Sequence, residues 1–334
     1  MKGISIIVCC YNSALRLPET LRHLATQEVS SMIPWEVIVV NNASKDNTSG
    51  IAKLEWEKYH CKAAFKVIDQ PIPGLSAARE KGIETSNFEY LIFCDDDNWL
   101  APNWAQRVCE IFELNPEIGI IGGKNEAVFE IQPPVWFEKL KGSFAVGEQN
   151  SNTADITDTR GYVWGAGLSF RKSVYLKAKN AGFKPLLSGR KGNKLTAGED
   201  TEFCYIFRMA GYRIWYFEDL KLQHFIPTAR LNEQVLPKMY KGFGESLYYF
   251  ELYNHTIKSS KNPFFLIYSQ SFRDFSNFMI WARPYLFESN RNTNMTYLLF
   301  LCMRRKLSTS LIHILNFNRL YKRTIMLSEN IKKF

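Results

Sequence analysis

An α/β fold with a mostly parallel central sheet, followed by a helical extension, is what this 334-residue sequence predicts. Three observations carry that reading. The first hundred residues alternate short apolar runs with helical stretches, the pattern of parallel strands joined by crossover helices. Turn-forming and acidic residues follow the apolar runs, and open α/β sheets bind ligands beyond those strand ends. From about residue 231 the pattern turns helical, aromatic and basic.

Each element has its own signal. Ile4–Cys10 reads as a buried strand. Leu17, Leu21 and Leu24 recur at i, i+4 and i+7, one face of a helix. Residues 36–41 are a second buried strand, and the Asn/Ser/Asp cluster over 42–47 is a turn and cap opening a helix. Strands follow at 65–69 and Tyr90–Asp95, with a helix at 74–85 between them. After Pro102, Trp104, Val108, Ile111 and Phe112 mark another helical face, with Pro suited to the first turn. Residues 118–122 form a fifth strand. Residues 123–198 are rich in Gly, Asn and Pro and read as irregular. A helix resumes at Asp200 and ends near Gly211. Two short strands, 213–217 and 220–224, are expected next.

Composition bounds the answer. Hydrophobic content of 46% and charged content of 22% describe a folded chain. The seven cysteines form no Cys-x-x-Cys pair, and most sit in apolar surroundings, which suits small core residues in a reducing, cytoplasmic compartment. Residues 4–10 are too short for a signal-peptide core, and no run approaches the ~20 apolar residues of a membrane span. The net charge of +9 is unevenly placed: Lys and Arg against Asp and Glu number 29 and 30 in residues 1–254, but 13 and 3 in 255–334. That asymmetry points to a C-terminus that meets an anionic surface. There Phe264, Tyr268, Phe272, Phe275 and Met279 follow helical spacing, with Arg273, Arg283 and Arg304-Arg305-Lys306 beside them. Such a segment either packs on the preceding domain or lies peripherally on a membrane whose anionic lipids attract it.

The chemistry concentrates in two short stretches. Asp95-Asp96-Asp97 ends a buried strand, and three carboxylates so placed repel one another unless a cation sits among them. Hard divalent ions are usually held by one or two carboxylates plus phosphate oxygens, so the triplet reads as a metal–phosphate site for Mg²⁺ or Mn²⁺. Gly198-Glu199-Asp200 supplies a separate carboxylate for proton transfer. Arg79 follows the Pro73-Gly74 turn by one helical turn and offers a forked donor set to a nucleotide. No GxxxxGK[ST] and no GxGxxG occurs, so neither an ordinary NTPase nor a dinucleotide enzyme is indicated.

Five segments in this order resemble family 2 of the glycosyltransferases, inverting enzymes with a GT-A fold. They are Ile6-Ile7-Val8-Cys9-Cys10-Tyr11-Asn12, Val39-Val40-Asn41-Asn42-Ala43-Ser44-Lys45-Asp46, Gly74-Leu75-Ser76-Ala77-Ala78-Arg79, Asp95-Asp96-Asp97 and Gly198-Glu199-Asp200. His224-Phe225-Ile226-Pro227-Thr228-Ala229-Arg230 resembles the H-x-I-P-x-x-R stretch of surface-glycan members. The resemblance implies a catalytic domain over 1–230, with a donor half over about 1–122 and an acceptor half over about 123–230, and a separate helical extension over 231–334. It implies donor contacts from Tyr11 and Asn12, with Tyr11 on the nucleotide base, and from Asn42 and Arg79 near base and ribose. Asp95 would face the ribose with Asp96 beside it, and Asp97 would hold the metal as one end of a DxD motif. His224 and Arg230 would reach the metal and the diphosphate. Asp200 would be the general base, with Glu199 bonding the acceptor, and the Trp164-Gly165 pair would suit a sugar face. Two departures touch the base-binding edge: Cys9-Cys10 stands where Pro-Thr or Pro-Ser is common, and Asn41-Asn42 where an Asp is common.

The expected partners are a UDP-, GDP- or dTDP-sugar and a glycan or lipid-linked oligosaccharide, with no nucleic acid. The rival within enzymes is a sugar nucleotidyltransferase, which should carry a Gly- and Lys-rich N-terminal loop that Tyr11-Asn12 does not offer. The rival from another class is a non-catalytic glycan- or nucleotide-binding module, against which the joint presence of a metal motif and a separate carboxylate speaks.

Overall fold

The structure, a computed structural model, describes residues 1–187, 197–258, 263–285 and 293–333, without the side chains of 263–268 and 283–285. The first half alternates as expected: β1 (Ile4–Cys10), α1 (Leu17–Ala25), β2 (Trp35–Asn42), α2 (Thr48–Glu57), β3 (Ala64–Gln70), α3 (Leu75–Thr85) and β4 (Tyr90–Asp95). A three-residue strand, β5 (Asn98–Leu100), leads to α4 (Trp104–Leu114) and β6 (Ile118–Phe129). The stretch read as irregular holds α5 (Trp136–Leu140), β7 (Ala154–Asp155), β8 (Ser169–Arg171) and α6 (Lys172–Asn180). Then come α7 (Glu199–Met209) and β9 (Arg213–Ile226), and the tail forms α8 (Val235–Ile257), α9 (Pro263–Tyr285), α10 (Met295–Ile312) and α11 (Phe317–Lys333).

The strands form one sheet in the order β3-β2-β1-β4-β8-β6-β9-β5, with β7 on β9. Strands β3, β2, β1 and β4 are mutually parallel, as strand–helix alternation requires. Beyond β4 the sheet is mixed: β8 is antiparallel to β4 and β6, and β5 to β9. Alternating side chains send β1 to both faces. Ile4, Ile6 and Val8 join the core under α1 and α4, while Ile7 joins the core under α3 and α7. Both faces are covered, which is why the parallel strands read as unbroken apolar runs.

Two expectations change. The strands expected at 213–217 and 220–224 are one continuous strand, β9. The polar pair Glu218-Asp219 lies in a bulge, where β6 advances from Gly122 to Lys124 while its partner advances from Tyr216 to Lys221. Strand β6 also runs seven residues beyond the expected Gly122 end. It passes so close to β9 that a Cβ at Gly123 would lie 2.0 Å from the Leu220 carbonyl oxygen.

The tail packs on the preceding unit. Tyr253 of α8 stacks on Tyr205 of α7 at 5.5 Å between ring centroids, and its hydroxyl donates to Glu202 Oε1 at 2.6 Å. Leu327 and Ile331 of α11 join the core that holds Phe207 of α7. Helix α9 covers Phe272, Phe275 and Met279 as the periodicity predicts, whereas Phe264, Tyr268 and Arg283 lie outside the described side chains.

Candidate active site

The carboxyl ends of β1, β2 and β4 open on a cleft of about 990 Å³, closed on its far side by the start of α7 and by Phe243, Leu247 and Phe250 of α8. Asp95, Asp96, Asp97, Glu199 and Asp200 all line it.

The three adjacent aspartates go three ways. Asp95 lies 3.9 Å from Arg79 Nη2. Asp96 turns inward: Ser13 Oγ and Arg16 Nη2, the latter at 2.6 Å, donate to its carboxylate, and Thr20 Oγ1 donates to its carbonyl at 2.9 Å. Burial and the charge on Asp97 push Asp96 up to about 6, against the pull of Arg16 and Ser13. Its carboxylate thus ties the triplet to the loop before α1. Asp97 points the other way. His224 Nε2 lies 3.6 Å from one of its oxygens and Arg230 Nη1 3.5 Å from the other. The pairing of β5 with β9 sets this up, because Asn98 is opposite His224 and the Phe225 N–H donates to the Asp97 carbonyl at 2.8 Å.

Arg230 follows Pro227 in a 3₁₀ turn, and its Nη1 donates to His224 Nε2 at 3.0 Å. A guanidinium only donates, so a hydrogen bond here uses the Nε2 lone pair and leaves Nδ1 as the ring's other polar atom. That Nδ1 is buried without a hydrogen-bond partner. An imidazole nitrogen beside a carboxylate is a donor set suited to Mg²⁺ or Mn²⁺, provided other oxygens complete the shell. Among the described residues no group of three or more His, Cys, Asp or Glu meets, so those oxygens must come from substrate or water.

Arg79 is buried and lines the cleft. Its guanidinium lies over the Phe93 ring at 4.7 Å and 3.5 Å from Glu199 Oε1, so it links the end of β4 to the start of α7. Burial alone would lower its pKa; Glu199, Asp95 and Asp200 more than offset that and raise it, so Arg79 stays charged. Asp200 is aimed by two backbone amides: Gly165 N–H donates to Oδ2 and Thr201 N–H to Oδ1, both at 2.8 Å. Gly198, at φ 103°, makes the turn into α7, and a Cβ there would meet the Phe250 ring at 2.5 Å. The acidic triplet and Asp200 therefore share one cleft, as the two stretches required.

The remaining expected residues divide. Tyr11 is half exposed on the cleft wall. Asn12 holds a loop: its amide oxygen accepts from Lys45 N–H and its own N–H donates to Ser44 Oγ. Asn42 is buried and spent on the turn before α3, donating to the Gln70 and Ile72 carbonyls and accepting from Gly74 N–H at 2.8 Å. Its part is to shape that turn. Trp164 lies on the cleft with Arg160 at 4.8 Å over its ring. Cys9 and Cys10 line the cleft too, and burial pushes both thiols up, Cys9 to about 12.

Sequence reasoning missed Ser13 and Arg16, which anchor Asp96, and Gln149, whose Oε1 accepts Trp164 N–H at 2.7 Å. It also missed the α8 aromatics, since no local pattern says that the extension closes the cleft.

A parallel half-sheet with an acidic strand end facing a carboxylate at a helix start is the GT-A arrangement. Consistent with it, S. aureus TarS 1–349 superimposes with a TM-score of 0.52 over 95% of this chain and 92% of that one, at 18% identity. The same protein in complex with UDP-GlcNAc superimposes with a TM-score of 0.51 at 17% identity, over the same shares. In sequence, the family model "Glycosyl transferase family 2" matches residues 5–175, and the chain belongs to that family. The putative glycosyltransferase EpsH of Bacillus subtilis is 34% identical over 106 residues, 32% of this chain and 29% of EpsH. The glucosyl-dolichyl phosphate glucuronosyltransferase of Haloferax volcanii is 22% identical over 228 residues, 66% of this chain and 68% of that protein.

Proposed function

We propose that this chain is a metal-dependent, inverting glycosyltransferase that moves a sugar from a nucleotide donor to a glycan or lipid-linked acceptor in polysaccharide assembly. The observation that carries the reading is Asp200: two backbone amides aim its carboxylate into the cleft that also holds Asp97, His224 and Arg230. TarS complexes with UDP and with UDP-GlcNAc support a UDP-sugar as the first donor to try. The Haloferax relative's name, glucosyl-dolichyl phosphate glucuronosyltransferase, supports a lipid-linked acceptor, which we place at the cytoplasmic membrane face.

The residues divide the chemistry. Asp97 and His224 would hold Mg²⁺ or Mn²⁺, which supplies charge neutralisation at the diphosphate. Arg230, beside them, adds two-pronged hydrogen bonding to the same leaving oxygens as they gain charge. Asp200 takes the proton of the acceptor hydroxyl as that oxygen bonds to the anomeric carbon. The carbon–phosphate-oxygen bond breaks, and its electron pair leaves with the nucleoside diphosphate. One displacement with no covalent intermediate inverts the anomeric configuration. A positioned base of this kind contributes ~10²–10⁴-fold. Arg79 keeps Glu199 and Asp95 in place without meeting the reacting atoms.

The test is a panel of UDP-, GDP- and dTDP-sugars with Mg²⁺, Mn²⁺ or a chelator, read by thermal shift and by donor hydrolysis. One nucleotide should raise the melting temperature and be hydrolysed only with the ion. Release of pyrophosphate from a nucleoside triphosphate and a sugar phosphate would establish a nucleotidyltransferase instead. Binding without turnover under any condition, acceptor included, would leave a binding module.

A further inference from the structure

Among its described side chains, helix α9 turns a run of large apolar residues outward. Its outward face carries Phe272, Phe275, Met279 and Ile280, which are 73%, 52%, 50% and 58% exposed. Their spacing of i, i+3, i+7 and i+8 makes one continuous stripe. Its inward face carries Gln270 and Asp274, each 1% exposed. The helix meets its neighbours through charge as well as rings: Lys306 of α10 lies 2.7 Å from Asp274 and also pairs with Glu251 of α8, and Phe278 packs on Phe300 at 5.5 Å. Folding in water alone does not favour this arrangement, which buries an ion cluster and leaves two phenylalanines in solvent.

We infer that α9 is a membrane-interface helix whose Phe272, Phe275, Met279 and Ile280 enter the headgroup–acyl boundary of an anionic bilayer. Three observations select lipid as the occupant. Residues 255–334 carry 13 Lys and Arg against 3 Asp and Glu, and exposed cations include Arg273 beside the stripe, with Arg304, Arg319 and Lys322 on the neighbouring helices. An apolar stripe within a cationic region is the signature of helices that lie in an anionic interface. The pairings Phe278 with Phe300 and Asp274 with Lys306 run α10 antiparallel to α9. The end of α10, with Leu311 and Ile312 exposed at 55% and 67%, therefore lies toward the start of α9 and supplies further apolar surface. A second copy fits poorly. The stripe offers roughly 400–500 Å², against the ~800 Å² per partner of a stable interface, and would bring two cationic tails together.

This deepens the membrane-face placement proposed above and is independent of the transfer chemistry, so donor hydrolysis in solution is scored separately. The full chain is sedimented with phosphatidylcholine vesicles, with and without phosphatidylglycerol, at low and high salt. Binding should require phosphatidylglycerol and fall with salt. Phe272→Ser/Phe275→Ser/Met279→Ser should lower the vesicle partition coefficient at least about tenfold, with hydrolysis and melting temperature unchanged. If that variant fails to fold, Phe272→Ser alone should lower the coefficient several-fold. Three results overturn the inference: no sedimentation of the wild type at low salt, equal binding by the folded variants, or a wild-type dimer in analytical ultracentrifugation that the triple variant converts to monomer.

Discussion

Gly165 and Arg79 approach so closely that only glycine fits between Arg79 and Asp200. A Cβ at Gly165 would lie 2.7 Å from Arg79 Nη2 and 3.4 Å from Asp200 Cβ. Arg79 cannot yield freely, because it is buried over Phe93 and paired with Glu199 and Asp95. Gly165→Ala should therefore displace the guanidinium, the Asp200 carboxylate, or both. A misplacement of this size costs on the order of 10²-fold in kcat. Steady-state kinetics with the identified donor would check it, and a kcat within twofold of wild type would show that the site tolerates the shift.

Asp200→Asn keeps the shape and one acceptor oxygen but removes the base. Turnover should fall ~10²–10⁴-fold while the thermal shift produced by donor and metal stays close to wild type. Lost donor binding with normal turnover would contradict the assignment.

The two neighbours Asp96 and Asp97 should part company. Asp96→Ala leaves Arg16 and Ser13 without the carboxylate they donate to, and losing that acceptor costs ~1–3 kcal/mol. Asp97→Ala should melt within a few degrees of wild type yet lose donor hydrolysis and the thermal response to Mn²⁺. Denaturation midpoints and Mn²⁺ titrations of both variants decide the point.

Glu202, one turn into α7, is buried and accepts from the Leu186 and Leu187 amides and from the Tyr253 hydroxyl. Burial outweighs these donors and pushes its pKa from 4.5 up to about 7. The folded state thus holds a proton that the unfolded chain releases earlier. The stability this proton contributes is full below pH 4.5 and is lost as pH rises through about 7. The loss is on the order of 3 kcal/mol. Glu202→Gln should flatten that part of the stability profile. Melting curves of both proteins at pH 5 and pH 8 would measure the difference, and parallel curves would contradict it.

How much was legible in advance follows a physical line. Apolar runs in β1, β2 and β4 are visible because a strand buried on both faces must be apolar throughout, and turn residues mark where each one stops. The Asp95–Asp97 triplet and Asp200 were therefore locatable at strand and helix ends. Within 123–198, β7 and β8 were opaque because they are two and three residues long, too short for a period to register. The Glu218-Asp219 pair looked like a break because a bulge and a turn use the same residues.

By itself the sequence determined which residues end the strands, the separation of the acidic triplet from Asp200 along the chain, and the gathering of positive charge in the tail. These are local or compositional properties, fixed by side-chain type and period. Only the tertiary structure decided that Asp96 turns inward while Asp97 faces His224, that Arg79 is a buried link, and that α9 shows its apolar face to the outside. Each of those depends on which distant group arrives: Ser13 and Arg16 from the loop before α1, Glu199 from α7, Lys306 from α10. Periodicity says that a residue has an inside and an outside. The charge that meets it there is set by packing between segments far apart in the chain.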